Sequence, residues 1–118
     1  MKIYQNSKFV QENNKIICTI ECKYVPYFCG KPKDDEAIEF TVSAYSKCHP
    51  GDTFNETYGK RLAETRASEK VYKKIKSILQ ERTINLLLEI DELNQDLYRN
   101  TYLLETTKQH DYTLSGRN

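Results

Sequence analysis

Between Lys60 and Thr107 the chain has forty-eight residues without a glycine or a proline. Those two residues are the strongest local breakers of regular structure. This half of the 118-residue chain therefore reads as one long amphipathic helix, or as two helices folded into a hairpin. Thr53 and Glu56 form a T-x-x-E capping box, and Asn55 is an equally good N-cap, because such side chains accept bonds from the N–H groups that a first turn leaves free. Gly59 weakens the first turns. At about 100° per residue, Ala63, Ala67, Val71, Ile75, Ile78 and Leu79 share one stripe, which Leu86, Ile90, Leu93, Leu97 and Leu104 continue. Arg66, Glu69, Lys73 and Lys76 lie roughly opposite.

The spacing then becomes regular. Leu79, Thr83, Leu86, Ile90, Leu93, Leu97, Asn100 and Leu104 step by 4, 3, 4, 3, 4, 3 and 4, an a/d seam long enough to predict a coiled coil and self-association into a homodimer or larger homo-oligomer. A buried Asn100 on that seam would fix register and partner number at a cost in stability. Leu86, Leu87 and Leu88 are consecutive, so apolar surface also leaves the seam, as a hairpin, a bundle or a wider interface requires. A hairpin would break near Thr83-Ile84-Asn85. One helix of this length is not stable alone and needs a partner or a fold-back.

The N-terminal half alternates with a period of two. Residues 1–12 and 15–25 read as a hairpin, with Lys8 to Glu12 the clearest stretch of its first strand and Asn13-Asn14 the turn, since Asn tolerates left-handed angles. In the next strand, Ile16, Cys18, Ile20, Cys22 and Tyr24 face one side and Ile17, Thr19, Glu21 and Lys23 the other. Val25 to Glu36, with Pro26, Gly30 and Pro32, reads as a loop. Ala37 to Cys48 reads as a third strand with Ile38, Phe40, Val42, Ala44 and Cys48 inward, and His49-Pro50-Gly51-Asp52 as the turn into the helix. The expected fold is α+β, a three-stranded antiparallel sheet packed on a long C-terminal helical region. Its divisions are residues 1–82 (sheet and first helix segment), 83–110 (coiled coil or fold-back) and 111–118 (a flexible tail).

Charge is uneven along the chain. Residues 1–55 balance, residues 56–82 carry eight basic and four acidic side chains, and residues 83–118 carry three basic and six acidic. The sequence pI of about 7.6 lies well below the footprint of a dedicated nucleic-acid binder. Met1-Lys2-Ile3 leads straight into polar residues, so no secretory leader is expected. No run reaches the length of a membrane span. The four cysteines are accordingly read in a reducing cytoplasm.

Catalytic and metal sites are not expected. Cys18, Cys22, Cys29, Cys48, His49 and His110 are enough zinc ligands by count, but no C-x-x-C pair occurs. Cys18 and Cys22 sit about 13 Å apart on a strand, too far to share one ion. Cys48 and His49 are adjacent and point to opposite faces of a strand, which separates a thiol from its base. Asp34, Asp35, Glu36 and Asp52 all fall in loops, and the four glycines are scattered singly, so no phosphate-binding loop exists. No cofactor is implied. Two binding surfaces remain. Tyr24, Tyr27 and Phe28 either cover one end of the core or, with Tyr45 and Lys47, offer anchors for a protein partner. Lys60, Arg61, Arg66, Lys70, Lys73, Lys74 and Lys76 are dense on one helix segment, where they form either an ordinary solvated face or a set of phosphate contacts for nucleic acid.

The stretch from Lys47 to Arg66 reads K-C-H-P-G-D-T-F-N-E-T-Y-G-K-R-L-A-E-T-R. It resembles a strand-to-helix motif in small, uncharacterised proteins of phages and prophages of Gram-positive bacteria, K-C-x-P-x-D-x-F/Y-x-x-x-x-G-x-x-x-A-x-x-R. The matching positions are Lys47, Cys48, Pro50, Asp52, Phe54, Gly59, Ala63 and Arg66, within twenty residues of the chain. Gly51 departs from the acidic residue often found before the aspartate. The resemblance implies a phage-type protein that binds and inhibits a host defence protein, such as a CRISPR nuclease, in the bacterial cytoplasm. Read from chemistry alone, the same residues make a turn at Pro50-Gly51-Asp52, pack Phe54 beneath the helix start, allow close packing at Gly59 and Ala63, and let Arg66 reach toward Asp52.

Overall fold

The structure, a computed structural model, describes residues 1–48 and 55–116. The chain runs β1 (Lys2–Glu12), β2 (Lys15–Val25), β3 (Tyr27–Phe28), β4 (Lys31–Pro32), a 3-10 turn (Asp34–Glu36), β5 (Ile38–Lys47) and α1 (Glu56–Leu114). β1, β2 and β5 form an antiparallel sheet in the order β1-β2-β5. The chain divides into two units, Met1–Ser77 and Ile78–Asn118. The α+β architecture is the one the alternation and the breaker-free run predict.

In the first unit β2 is central, and its alternation decides the core. Ile16, Cys18, Ile20, Cys22 and Tyr24 are all buried. They pair in register with Gln11, Phe9, Ser7, Gln5 and Ile3 of β1 and with Ser46, Ala44, Val42, Phe40 and Ile38 of β5. These residues share the face that α1 covers. Asn13 takes φ +56° in the turn between β1 and β2, the left-handed angle its short polar side chain tolerates. Asn14 then closes the far strand end, its backbone carbonyl accepting from Cys48 N–H (2.9 Å) and its side-chain amide donating to Cys48 O (2.7 Å).

The helix starts at Asn55. Its Oδ1 accepts the N–H of Tyr58 at 3.0 Å, which is N-cap geometry. Thr53, Phe54, Asp52 and the turn from His49 lie outside the described residues, as do the contacts expected of them. Ala63, Ala67, Val71 and Ile75, each four residues after the last, are the buried residues of α1. They are the first part of the expected stripe; Ile78 is half-buried and Leu79 exposed. Gly59 extends the stripe toward the helix start. A Cβ built there would lie 2.7 Å from Ile16 Cδ1 and 3.3 Å from Ser46 Oγ. The Ser46 hydroxyl donates to Gly59 O at 2.7 Å, so the first helical turns rest on the sheet through a residue without a side chain.

Three sequence expectations change. The hairpin of residues 1–12 and 15–25 forms, but β1 extends beyond the stretch from Lys8 back to Lys2 and pairs with β2 residue by residue over eleven positions. Its first half is mostly polar because strand pairing, not burial, holds it. The segment from Val25 to Glu36 is not a simple loop. It holds the short hairpin of β3 and β4, whose turn places Cys29 at φ +53° and Gly30 at φ +75°, the pair of left-handed angles that a tight hairpin turn uses. Finally, α1 is one helix. It continues through Thr83-Ile84-Asn85 and past Lys108 to Leu114, so the hairpin reading fails. No breaker interrupts that stretch, and the Thr83 hydroxyl bonds back to Leu79 O at 2.8 Å.

The Gly59 contact gives a double-mutant test. Gly59→Ala adds about 1 kcal/mol of helix propensity but forces a methyl onto Ile16, an overpacking cost of about 1–3 kcal/mol. Ile16→Val deletes the methyl that it meets. In denaturant unfolding, Gly59→Ala is expected to be neutral or destabilising in the natural chain and stabilising in the Ile16→Val background.

Candidate protein-interaction surfaces

In the second unit Ile78 is half-buried and no described residue is buried. Every residue from Leu79 to Gly116 is exposed. The seam spacing makes Leu79, Leu86, Leu93 and Asn100 the d positions and Thr83, Ile90, Leu97 and Leu104 the a positions of a heptad. Ile90 at a with Leu86 and Leu93 at d is the pairing that favours two parallel strands, while the other a positions are Thr83, Leu97 and Leu104. Thr83 fits such a seam, because its hydroxyl is already bonded to its own helix and its methyl is left to pack. Leu93 and Leu97 are 61% and 64% exposed.

A second stripe was not read from the sequence. Ile84, Leu88, Asp91, Gln95, Tyr98, Tyr102, Glu105, Gln109 and Tyr112 repeat steps of four and three, one residue after the a positions and two after the d positions. These are the outer b and f positions, and Ile84, Leu88, Tyr98, Tyr102 and Tyr112 are all exposed. Its signal was available in the spacing but is masked by the polar residues in its middle. Exposed tyrosine on a rigid helix provides contact area at low entropic cost, with a hydroxyl that can remain wet.

The aromatic anchors predicted in the first unit do not form one surface. Tyr24 is 3% exposed and belongs to the core. Tyr27 and Phe28 are exposed on β3, with Lys33 Nζ 5.7 Å from the Phe28 ring centre. Tyr45 is exposed on the outer sheet face, where Lys15 Nζ sits 4.1 Å from its ring centre; Lys47 lies two residues on, opposite Lys15 in register. Tyr24 and Ile17, the β2 partner of Tyr45, are seven residues apart along one strand, roughly 23 Å. The two aromatic groups are therefore at opposite ends of the sheet.

The basic segment is also divided. Arg66 Nη1 donates to Tyr45 O at 2.9 Å and Lys70 Nζ to Ser43 O at 2.6 Å. Lys60 pairs with Glu56 at 3.1 Å and stands 5.8 Å from the Phe9 ring centre. Arg61, Lys73, Lys74 and Lys76 remain exposed. Two of the seven expected phosphate contacts thus hold the helix to β5, which weakens the nucleic-acid reading.

Cys18 and Cys22 are buried, Cys29 is exposed at the hairpin tip and Cys48 is half-buried. Burial raises the pKa of Cys18, with the Glu64 carboxylate adding to it, and burial alone raises that of Cys22. Among the described residues, no group of three or more His, Cys, Asp and Glu side chains could hold a metal ion, and no helix is long and apolar enough to cross a membrane. The open hollow of about 450 Å³ on the sheet is lined by residues such as Tyr4, Glu21, Lys23 and Glu39, and is shallow and mixed in charge. The chain matches no family model, no curated protein and no solved structure.

Thiol chemistry checks this burial pattern. At pH 8, a disulfide reagent should modify Cys29 fastest, Cys48 more slowly, and Cys18 and Cys22 only as the protein unfolds. The buried thiols stay protonated while unfolded ones ionise near about 8.5. The folded state then holds more protons, and stability should fall as pH rises through that range.

Proposed function

We propose that this chain is a non-catalytic protein-binding module that acts as a coiled-coil homodimer. The observation that supports it is the uncovered seam of α1: Leu79, Leu86, Ile90, Leu93, Leu97, Asn100 and Leu104, all exposed in one chain. A helix in this state is marginal in water, and a second copy of the same seam covers it in register. Asn100 opposite Asn100 then favours one alignment over the shifted ones. The two-stranded coil leaves the outer stripe of Ile84, Leu88, Tyr98 and Tyr102 free for a target, in two copies.

The resemblance at Lys47 to Arg66 supplies the target class. It is a host defence protein such as a CRISPR nuclease, met in the bacterial cytoplasm and inhibited by steric occlusion or by being held in an inactive state. The exposed aromatics Tyr27, Phe28 and Tyr45 provide further contact area for that target.

Light scattering tests the assembly. The full chain should have the mass of a dimer or a multiple of it, and Leu93→Glu with Leu97→Glu should weaken association through the seam by on the order of a hundredfold or more, since each seam leucine contributes roughly 1.5–3 kcal/mol on burial. Helix content should fall with it, measured by circular dichroism. A monomeric natural chain, or a double variant with unchanged mass and helicity, would sink this reading.

A further inference from the structure

The three-stranded sheet has two edges, and the chain treats them differently. Along β5, the carbonyls of Ser43 and Tyr45 accept bonds from Lys70 and Arg66 of α1. Helix side chains therefore occupy that edge. Along β1 nothing comparable occurs among the described residues. β1 is eleven residues long and pairs with β2 one-for-one, from Lys2 opposite Val25 to Glu12 opposite Lys15, without a bulge. It contains no proline. The residues on its helix-side face, Ile3, Gln5, Ser7, Phe9 and Gln11, carry no charge. Bulges, prolines and inward charges are among the devices that stop an edge strand from pairing with another chain, and β1 has none of these three; its charged residues, Lys2, Lys8 and Glu12, lie on the outer face.

We infer that β1 pairs antiparallel with β1 of a second copy about a two-fold axis at Ser7, joining two sheets into one of six strands. The sequence of β1, K-I-Y-Q-N-S-K-F-V-Q-E, is complementary to itself in that register. Lys2 meets Glu12 of the other copy at both ends. Tyr4 meets Val10, an aromatic–β-branched pair of the kind that stabilises neighbouring strands. Asn6 meets Lys8, Gln5 meets Phe9, and Ser7 meets itself. All eleven residues are paired, and each face continues into the same face of the other sheet because paired residues share parity. Moving the axis to Lys8 puts two lysines opposite each other, and moving it to Asn6 leaves Gln11 and Glu12 without partners. The helix-side face of β1 also has room, since Gln5, Ser7, Phe9 and Gln11 are all exposed. This contact is separate from the α1 seam and does not depend on it.

Cysteine cross-linking in the full chain tests the register. In a Cys29→Ser background, which removes the exposed thiol, Ser7→Cys places two thiols directly opposite, about 4.5–5.5 Å apart between Cβ atoms. Mild oxidation should convert most of that variant to a reducible covalent dimer. Gln5→Cys in the same background places its two thiols roughly 13 Å apart and should stay at the level of the parent. Lys2→Glu should lower the Ser7→Cys yield severalfold, and adding Glu12→Lys should restore it. The same pattern is expected with Leu93→Glu and Leu97→Glu present, so that failure of the seam and failure of this contact are read apart. A Ser7→Cys yield no higher than the parent's, or equal yields at positions 5 and 7, overturns the proposal. Circular dichroism confirms that each variant is folded; both cysteine positions are exposed and tolerate the change.

Discussion

The close approach of α1 to β2 is the contact on which the first unit depends. A sheet with one apolar face must bury that face against another element, and an isolated helix is marginal in water. Small residues bring the two together. Gly59 has no side chain where Ile16 arrives, and Ala63 and Ala67 are fully buried. Larger side chains there would lift the helix from the sheet and expose Cys18 and Ile20, which are now sealed. Val71 and Ile75 then fill the space as the stripe runs on, so the apolar contact widens away from the helix start.

That seating also fixes what the surrounding polar groups do. Ser46 donates to a helix carbonyl, and Arg66 and Lys70 donate to strand carbonyls. Each bond ties α1 to β5, so β5 is the protected edge and β1 the open one. Cations that read as phosphate contacts on a helical wheel become strand-edge partners once the helix is laid beside β5. The thiols of Cys18 and Cys22 are core atoms for the same reason, and their raised pKa values follow from burial.

The second unit follows a different logic. Its apolar residues repeat regularly, yet none is buried. Regular spacing without burial is a property of surfaces made to be covered, and the a/d seam and the outer tyrosine stripe sit on separate faces of one helix. The reading as a binding module rests on that contrast between periodicity and exposure.

Much of this was legible in the sequence. Strict alternation from Ile16 to Tyr24 determined the buried face of β2, because a strand has a period of two and only one face can meet the helix. The four-residue spacing of Ala63, Ala67, Val71 and Ile75 determined the buried line of α1, and Asn55 announced its start. The tertiary structure decided the rest. Tyr24 fitted both the inward face of β2 and a partner anchor beside a loop, and it lies in the core, since its place in the alternation outweighs its nearness to a loop. The hairpin of residues 1–12 and 15–25 was legible, but its unbroken pairing from Lys2 to Ser7 rests on backbone bonds to β2, which need no apolar pattern. Thr83-Ile84-Asn85 stayed helical because no residue there forces a turn. The roles of Arg66 and Lys70 depend on which strand lies beside them, and one-dimensional periodicity carries no information about that neighbour.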